Sequence, residues 1–199
     1  MTRSGYRVAS LAVAALTITA CAKKDTGAVD TTAASSTTSV DTSGAAPSGA
    51  ATMTDANIFA ILDEANAADS VAGALAGTKG TSSAVRDFGK RMTRDHHTLR
   101  VQGEALAKKL KITPTPPAGD NLVADAQKAM DNLNSTAKGK DFDKAYIDGE
   151  VDMHKKVLEV ATKAMDQAQS TELKNLIQKA APVIQGHLDL AESVQKNLK

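Results

Sequence analysis

Cysteine occurs once in the 199 residues, at Cys21, tryptophan is absent, and aromatic residues make up 3% of the chain. A lone cysteine forms no intrachain disulfide and no thiolate zinc cage, so stability has to come from an aliphatic core. Charge of one sign is also missing: 24 Lys and Arg face 23 Asp and Glu, a formal +1. That balance gives no field to draw a polyanion. Beyond the N-terminal segment only Phe59, Phe88, Phe142 and Tyr146 offer aromatic faces for stacking bases, so no nucleic-acid partner is expected. There is no Gly-x-Ser-x-Gly elbow, no glycine-rich phosphate loop and no His-Glu-x-x-His motif, and the expectation is a protein that is not an enzyme.

The N-terminus carries Arg3 and Arg7, then an apolar stretch from Val8 to Ala20 broken only by Ser10, Thr17 and Thr19, with no acid. This is the layout of a secretory signal over residues 1–20, and its run of about 13 residues is shorter than the ~20 a membrane-spanning helix needs. It ends in Ile18-Thr19-Ala20-Cys21, which resembles the lipobox of bacterial lipoproteins, where the Cys is lipidated and becomes the new N-terminus. The expected partner is therefore the membrane, through a lipid anchor on Cys21. In a host with two membranes, Ala22 rather than Asp after the Cys implies the outer membrane. The mature chain then starts with a tether over 21–53, almost entirely Thr, Ser, Ala, Gly and Asp from Asp25 onward, which has too little apolar surface to fold.

From residue 54 to 199 the composition turns to Ala, Leu, Ile, Val, Lys and Glu at helical spacing, with no alternating run that argues for a strand. The fold class expected is all-α, an antiparallel four-helix bundle with a broken third arm. Helix one is expected from Asp55, capped by Thr54, to Ala76, ended by Gly77 and Gly80. Helix two is expected over Ser83–Leu110, stopped before Pro114, Pro116 and Pro117. A short piece over about 121–136, a main helix over about 142–168 and a last helix from Ser170 to about Leu198 complete the set. Pro182 should kink the last of these.

At 100° per residue the apolar stripes of these helices also hold polar residues: Asp69 on the first, His96 on the second, Glu150 and His154 on the main helix and His187 on the last. Asp95 falls at the edge of its stripe, and His97 turns outward. His154 and His187 should be nearly level, while Asp69 and His96 are less well matched about their shared turn. Two roles fit the five inward residues. One is a structural, stress-related envelope protein whose buried polar groups form a hydrogen-bond network that fixes helix register. The alternative is a binding module in which they hold one transition-metal ion, with imidazole and carboxylate suiting Zn, Fe, Mn or Cu.

Three segments taken together resemble a known family: Phe88-Gly-Lys-Arg-Met92-Thr-Arg-Asp95-His96; Asp141-Phe142-Asp-Lys-Ala-Tyr146-Ile147 leading to Val151-Asp152-Met153-His154; and Ala181-Pro182 followed by His187-Leu188. They are similar to the bacterial domain of unknown function 4142 over about residues 56–195. The resemblance implies a ferritin-like bundle in an exported or outer-membrane protein, and no established reaction. It does not bring di-iron chemistry, which needs Glu-x-x-His on two helices. The residues three before His96, His154 and His187 are Thr93, Val151 and Ile184.

Overall fold

The structure is a computed structural model, and it describes residues 52–198. The expected signal peptide, Cys21 and all of the tether except its last two residues lie outside that range. Among the described residues the chain is all-helical with no strand: α1 Asp55–Lys79, α2 Ser83–Leu110, α3 Leu122–Ser135, α4 Lys140–Gln167 and α5 Thr171–Asn197. None of these helices is long and apolar enough to cross a membrane.

Local signals account for most helix ends. Thr54 and Asn57 make a reciprocal capping box at the start of α1, and the Ser170 hydroxyl accepts from the Leu173 amide at the start of α5. Lys111, at φ 56°, closes α2 in the left-handed conformation. One expected boundary is corrected. Gly77 does not end α1, which runs on to Lys79 with Gly80 as its cap, because Ala76 and the turns around it are held against α2. Helix α5 likewise continues across Pro182, which is exposed there.

Helices α1 and α2 run antiparallel along each other, and so do α4 and α5. The first pair comes close because two glycines meet: a Cβ on Gly73 would stand 2.6 Å from the Gly89 carbonyl oxygen, and one on Gly89 the same distance from the Gly73 oxygen. The short α3 touches α1 and α4 and buries only Leu133 fully, while Lys79 Nζ donates to the Leu133 and Asn134 carbonyls at its end.

Each helical pair finishes the other. Asp143, in the first turn of α4, accepts from the Thr81 amide (2.8 Å), the Thr81 hydroxyl (2.6 Å) and the Ser82 amide (2.7 Å), all in the turn before α2. Ser82 makes no cap of its own, so α2 draws its anionic cap from α4. Asp55, in the first turn of α1, does the same for the turn before α5, accepting from the Gln169 and Ser170 amides at 2.7 and 2.9 Å. Asp143 is 2% exposed. Replacing it (Asp143→Ala) strands three donors, and we expect a loss of about 3 kcal/mol in urea unfolding.

The apolar interior falls into two clusters. Phe88, Met92, Phe142, Tyr146, Ile147 and Leu188 are in one, and Ile58, Phe59, Ala107, Ala164, Leu173 and Ile177 are in the other. Asp69 on α1, His96 on α2, His154 on α4 and His187 on α5 fall between the two along their helices, so the folded part has a polar layer between oily ends.

Candidate metal centre

His96, His154 and His187 meet in that layer. Their ring centroids are 5.1–5.6 Å apart, all three side chains are buried, and one ring nitrogen from each lies within 4.8 Å of the others. The sequence placed His154 and His187 level, and the structure adds His96 from the other pair of helices.

The two nitrogens of each ring have different fates. His96 Nδ1 is 2.9 Å from Asn66 Oδ1, His154 Nδ1 is 2.9 Å from the Glu150 carbonyl oxygen, and His187 Nε2 is 3.1 Å from Asp95 Oδ2. Each partner is an acceptor, so each of these nitrogens carries the proton and donates. The remaining nitrogens, His96 Nε2, His154 Nε2 and His187 Nδ1, are buried with no hydrogen-bond partner among the described residues. In a neutral imidazole whose other nitrogen is protonated, the free one presents a lone pair.

Burial keeps the rings neutral. It lowers His96 to about 3, with the charges of His154 and His187 adding to the effect. His154 falls to about 4, also through burial, against the hydrogen bond to the Glu150 carbonyl. His187 is lowered by burial as well, with Asp95 working the other way. Asp95 itself is raised by burial but ends below the usual carboxylate range because His187 and Arg94 hold its charged form.

The two carboxyls expected with the histidines are buried beside them. Asp69 Oδ2 is 3.5 Å from His96 Nδ1, and Glu150 Oε2 is 3.4 Å from His154 Nδ1, so both stand on the side of the ring that faces away from the cluster. Burial pushes Asp69 up to about 7 and Glu150 well above its ordinary value, where the charge of Asp69 adds to burial. With the rings also neutral, these contacts are not ion pairs near pH 6. The Tyr146 hydroxyl stands by Glu150 without completing a hydrogen bond.

These opposing shifts set a pH optimum for the metal-free chain. The histidines are depressed, so their contribution is present above about pH 6.5 and is lost as pH falls towards 4 and 3. Asp69 is raised, so its contribution is present at low pH and is lost as pH rises through about 7, and Glu150 acts in the same direction. Three histidines outweigh two carboxyls on the acid side, and the carboxyls act alone on the alkaline side. We expect thermal melts of metal-free protein to peak near about pH 6 and to fall on both sides. A melting temperature that climbs steadily from pH 4 to 9 would contradict the assignment.

Two residues at the centre were not singled out in the sequence. Asn66 orients His96, and Asp95, placed only at the edge of its stripe, orients His187. A signal for Asn66 existed, since it and His96 each lie thirteen residues from the ends of their helices at the α1–α2 turn. His97 is exposed, as its position on the helix implied.

No curated protein and no solved structure matches the chain. Residues 19–194 match the family described as domain of unknown function DUF4142, a stretch that includes α1 to α4, α5 as far as Val194 and every residue of the histidine cluster. The chain belongs to the DUF4142 family.

Proposed function

We propose that this protein is an envelope-anchored binding module for one transition-metal ion, held by His96 Nε2, His154 Nε2 and His187 Nδ1. The observation that carries the proposal is that each of three clustered rings has one buried nitrogen without a partner and offers one nitrogen within 4.8 Å of the other two, while the opposite nitrogen of every ring donates to an acceptor that fixes its tautomer. Metal-bound histidines have this outer partner almost without exception, as a carboxylate, a carbonyl or a water. A purely structural network accounts for the outer nitrogens but not for three inner ones, since buried polar atoms normally find partners within the protein.

The ligand set narrows the ion. Three neutral imidazoles with no carboxylate among them suit zinc or copper better than manganese, which favours oxygen. Three protein ligands also leave a fourth position of a tetrahedral site for another molecule. The helix order supports the finer architecture in which α1, α2, α4 and α5 form an antiparallel four-helix bundle of ferritin-like type, with α3 as the broken third arm. Asp69 and Glu150 then act as neighbours that respond to the ion's charge rather than as ligands. Metal analysis of the full chain tests the proposal: one zinc or copper per chain supports it, and none bound after equilibration with either ion refutes it.

Lipid on Cys21 would place this module at a membrane surface. We expect Cys21→Ser to move the protein from the membrane to the soluble fraction, because multiple acyl chains are what make retention durable. A processed Cys21→Ser protein that stays with the membrane would rule out the anchor.

A further inference from the structure

Between the histidine layer and the second apolar cluster the long helices leave a cavity of about 140 Å³. Phe59, Leu62, Leu99, Ile177 and Ile184 wall it, and its surface is almost wholly apolar. Ala65, Ala107, Ala161, Ala180 and Gly103 also line it, so the space exists because small residues stand where a single leucine would close it. At one end Asn66, Asp69 and His96 reach the cavity, and Arg100 Nε pairs with Asp63 Oδ1 at 2.6 Å among the residues that line it.

The polar end is a built one. Asp69 is 4% exposed, and the His96 nitrogen nearest to it gives its hydrogen bond to Asn66 instead. A cavity of about 150 Å³ lined by leucine, isoleucine and phenylalanine stays dry and takes up benzene-sized guests. This one has the same scale and a largely apolar lining, with Asn66, Asp69 and His96 at one end and the Asp63–Arg100–Glu104 group also on its wall.

We propose that the cavity is a binding site for a small uncharged aromatic molecule of the phenol class, its ring among Phe59, Leu62, Leu99 and Ile177 and its one polar group at Asp69. The volume excludes a second ring system, and an ionised ligand is disfavoured because it would lose its water in a largely apolar space where Arg100, Asp63 and Glu104 already pair with one another. The site stands on the far side of His96 from the histidine cluster. It does not rest on the metal reading, and either can fail without the other.

Phenol and benzene serve as probes, titrated into the full chain after chelator treatment and followed through the methyl signals of Leu62, Leu99, Ile177 and Ile184. Saturable shifts confined to these methyls are expected for both probes. Gly103→Leu should abolish them, since a Cβ at Gly103 meets nothing within 4 Å and the side chain has room to enter the opening. Asp69→Leu should lower the phenol-to-benzene affinity ratio by about tenfold, the worth of one hydrogen bond. Absence of saturable shifts in the unsubstituted chain overturns the site. An unchanged phenol-to-benzene ratio in Asp69→Leu overturns the class of ligand.

Discussion

Zinc or copper added to the metal-free chain should raise its melting temperature by about 12 °C at a thousandfold excess over the dissociation constant. An ion bound only by the native state contributes about 4 kcal/mol at that excess, and each kcal/mol moves a helical unit of this size by about 3 °C. His154→Ala should remove the shift, because it takes away one of three nitrogens that converge from α2, α4 and α5. His97→Ala, on the exposed face of α2, should keep it. The metal-free forms add a second readout. A satisfied network would lose about 1–3 kcal/mol when His154 is truncated. In the metal-site reading the loss is smaller in metal-free protein, since removing the ring also removes an unpartnered lone pair facing two others. The shift should persist down to about pH 5, below the usual histidine range, because burial has already excluded protons from His96 and His154. No melting shift with either ion would return the centre to a structural role.

The second large effect is expected at the crossing of α1 and α2. A methyl group on Gly89 would lie 2.6 Å from the Gly73 oxygen and 2.9 Å from the Gly77 nitrogen, both backbone atoms that cannot swing aside. Gly89→Ala gives back about 1 kcal/mol of helix propensity, but forcing the two backbones apart costs about 3 kcal/mol, so the net change is a loss of about 2 kcal/mol. Gly186→Ala makes the opposite case. Nothing lies within 4 Å of its added methyl, and it should stabilise the chain by about 0.5–1 kcal/mol. Thermal or urea unfolding of the two variants decides the sign. If Gly89→Ala were as stable as the parent, the close approach would carry no constraint. The same crossing sets the level of Asn66 against His96, so Gly89→Ala should also weaken ion binding.

The limits of α2 and the approximate extent of the later helices were legible because apolar spacing, prolines and caps agree there. The end of α1 was not. Gly77 looks like a stop signal by itself, and only the packing of half-buried Gly77 and its buried neighbours Gly73 and Ala76 against α2 overrides it. That small error had a consequence at the site. With α1 ended at Ala76, Asp69 and His96 appear poorly matched, whereas with α1 running to Lys79 the level residue opposite His96 is Asn66. The five inward polar residues were legible from the helix period alone, because a polar side chain on an apolar stripe stands out. Which of them turn ring nitrogens toward one another and which stand behind the rings was not, since that depends on ring orientation. Asp143 was passed over because an acid in a first turn reads as an ordinary dipole partner.

The exchanged acids Asp55 and Asp143 make the two antiparallel pairs interdependent. Neither pair is a finished folding unit, because the second helix of each begins on an acceptor that belongs to the other. Opening the seam between them at one end strands amide donors there and does not leave a self-contained half, so hydrogen exchange across the seam belongs to global unfolding and not to local breathing. An ion held by His96 from the first pair and by His154 and His187 from the second, as proposed above, would be a third crossing of the same seam, placed between the two acidic ones. Its arrival or loss would then be felt by the whole of the folded part at once, and the metal state of the centre would be readable from the rigidity of the entire domain.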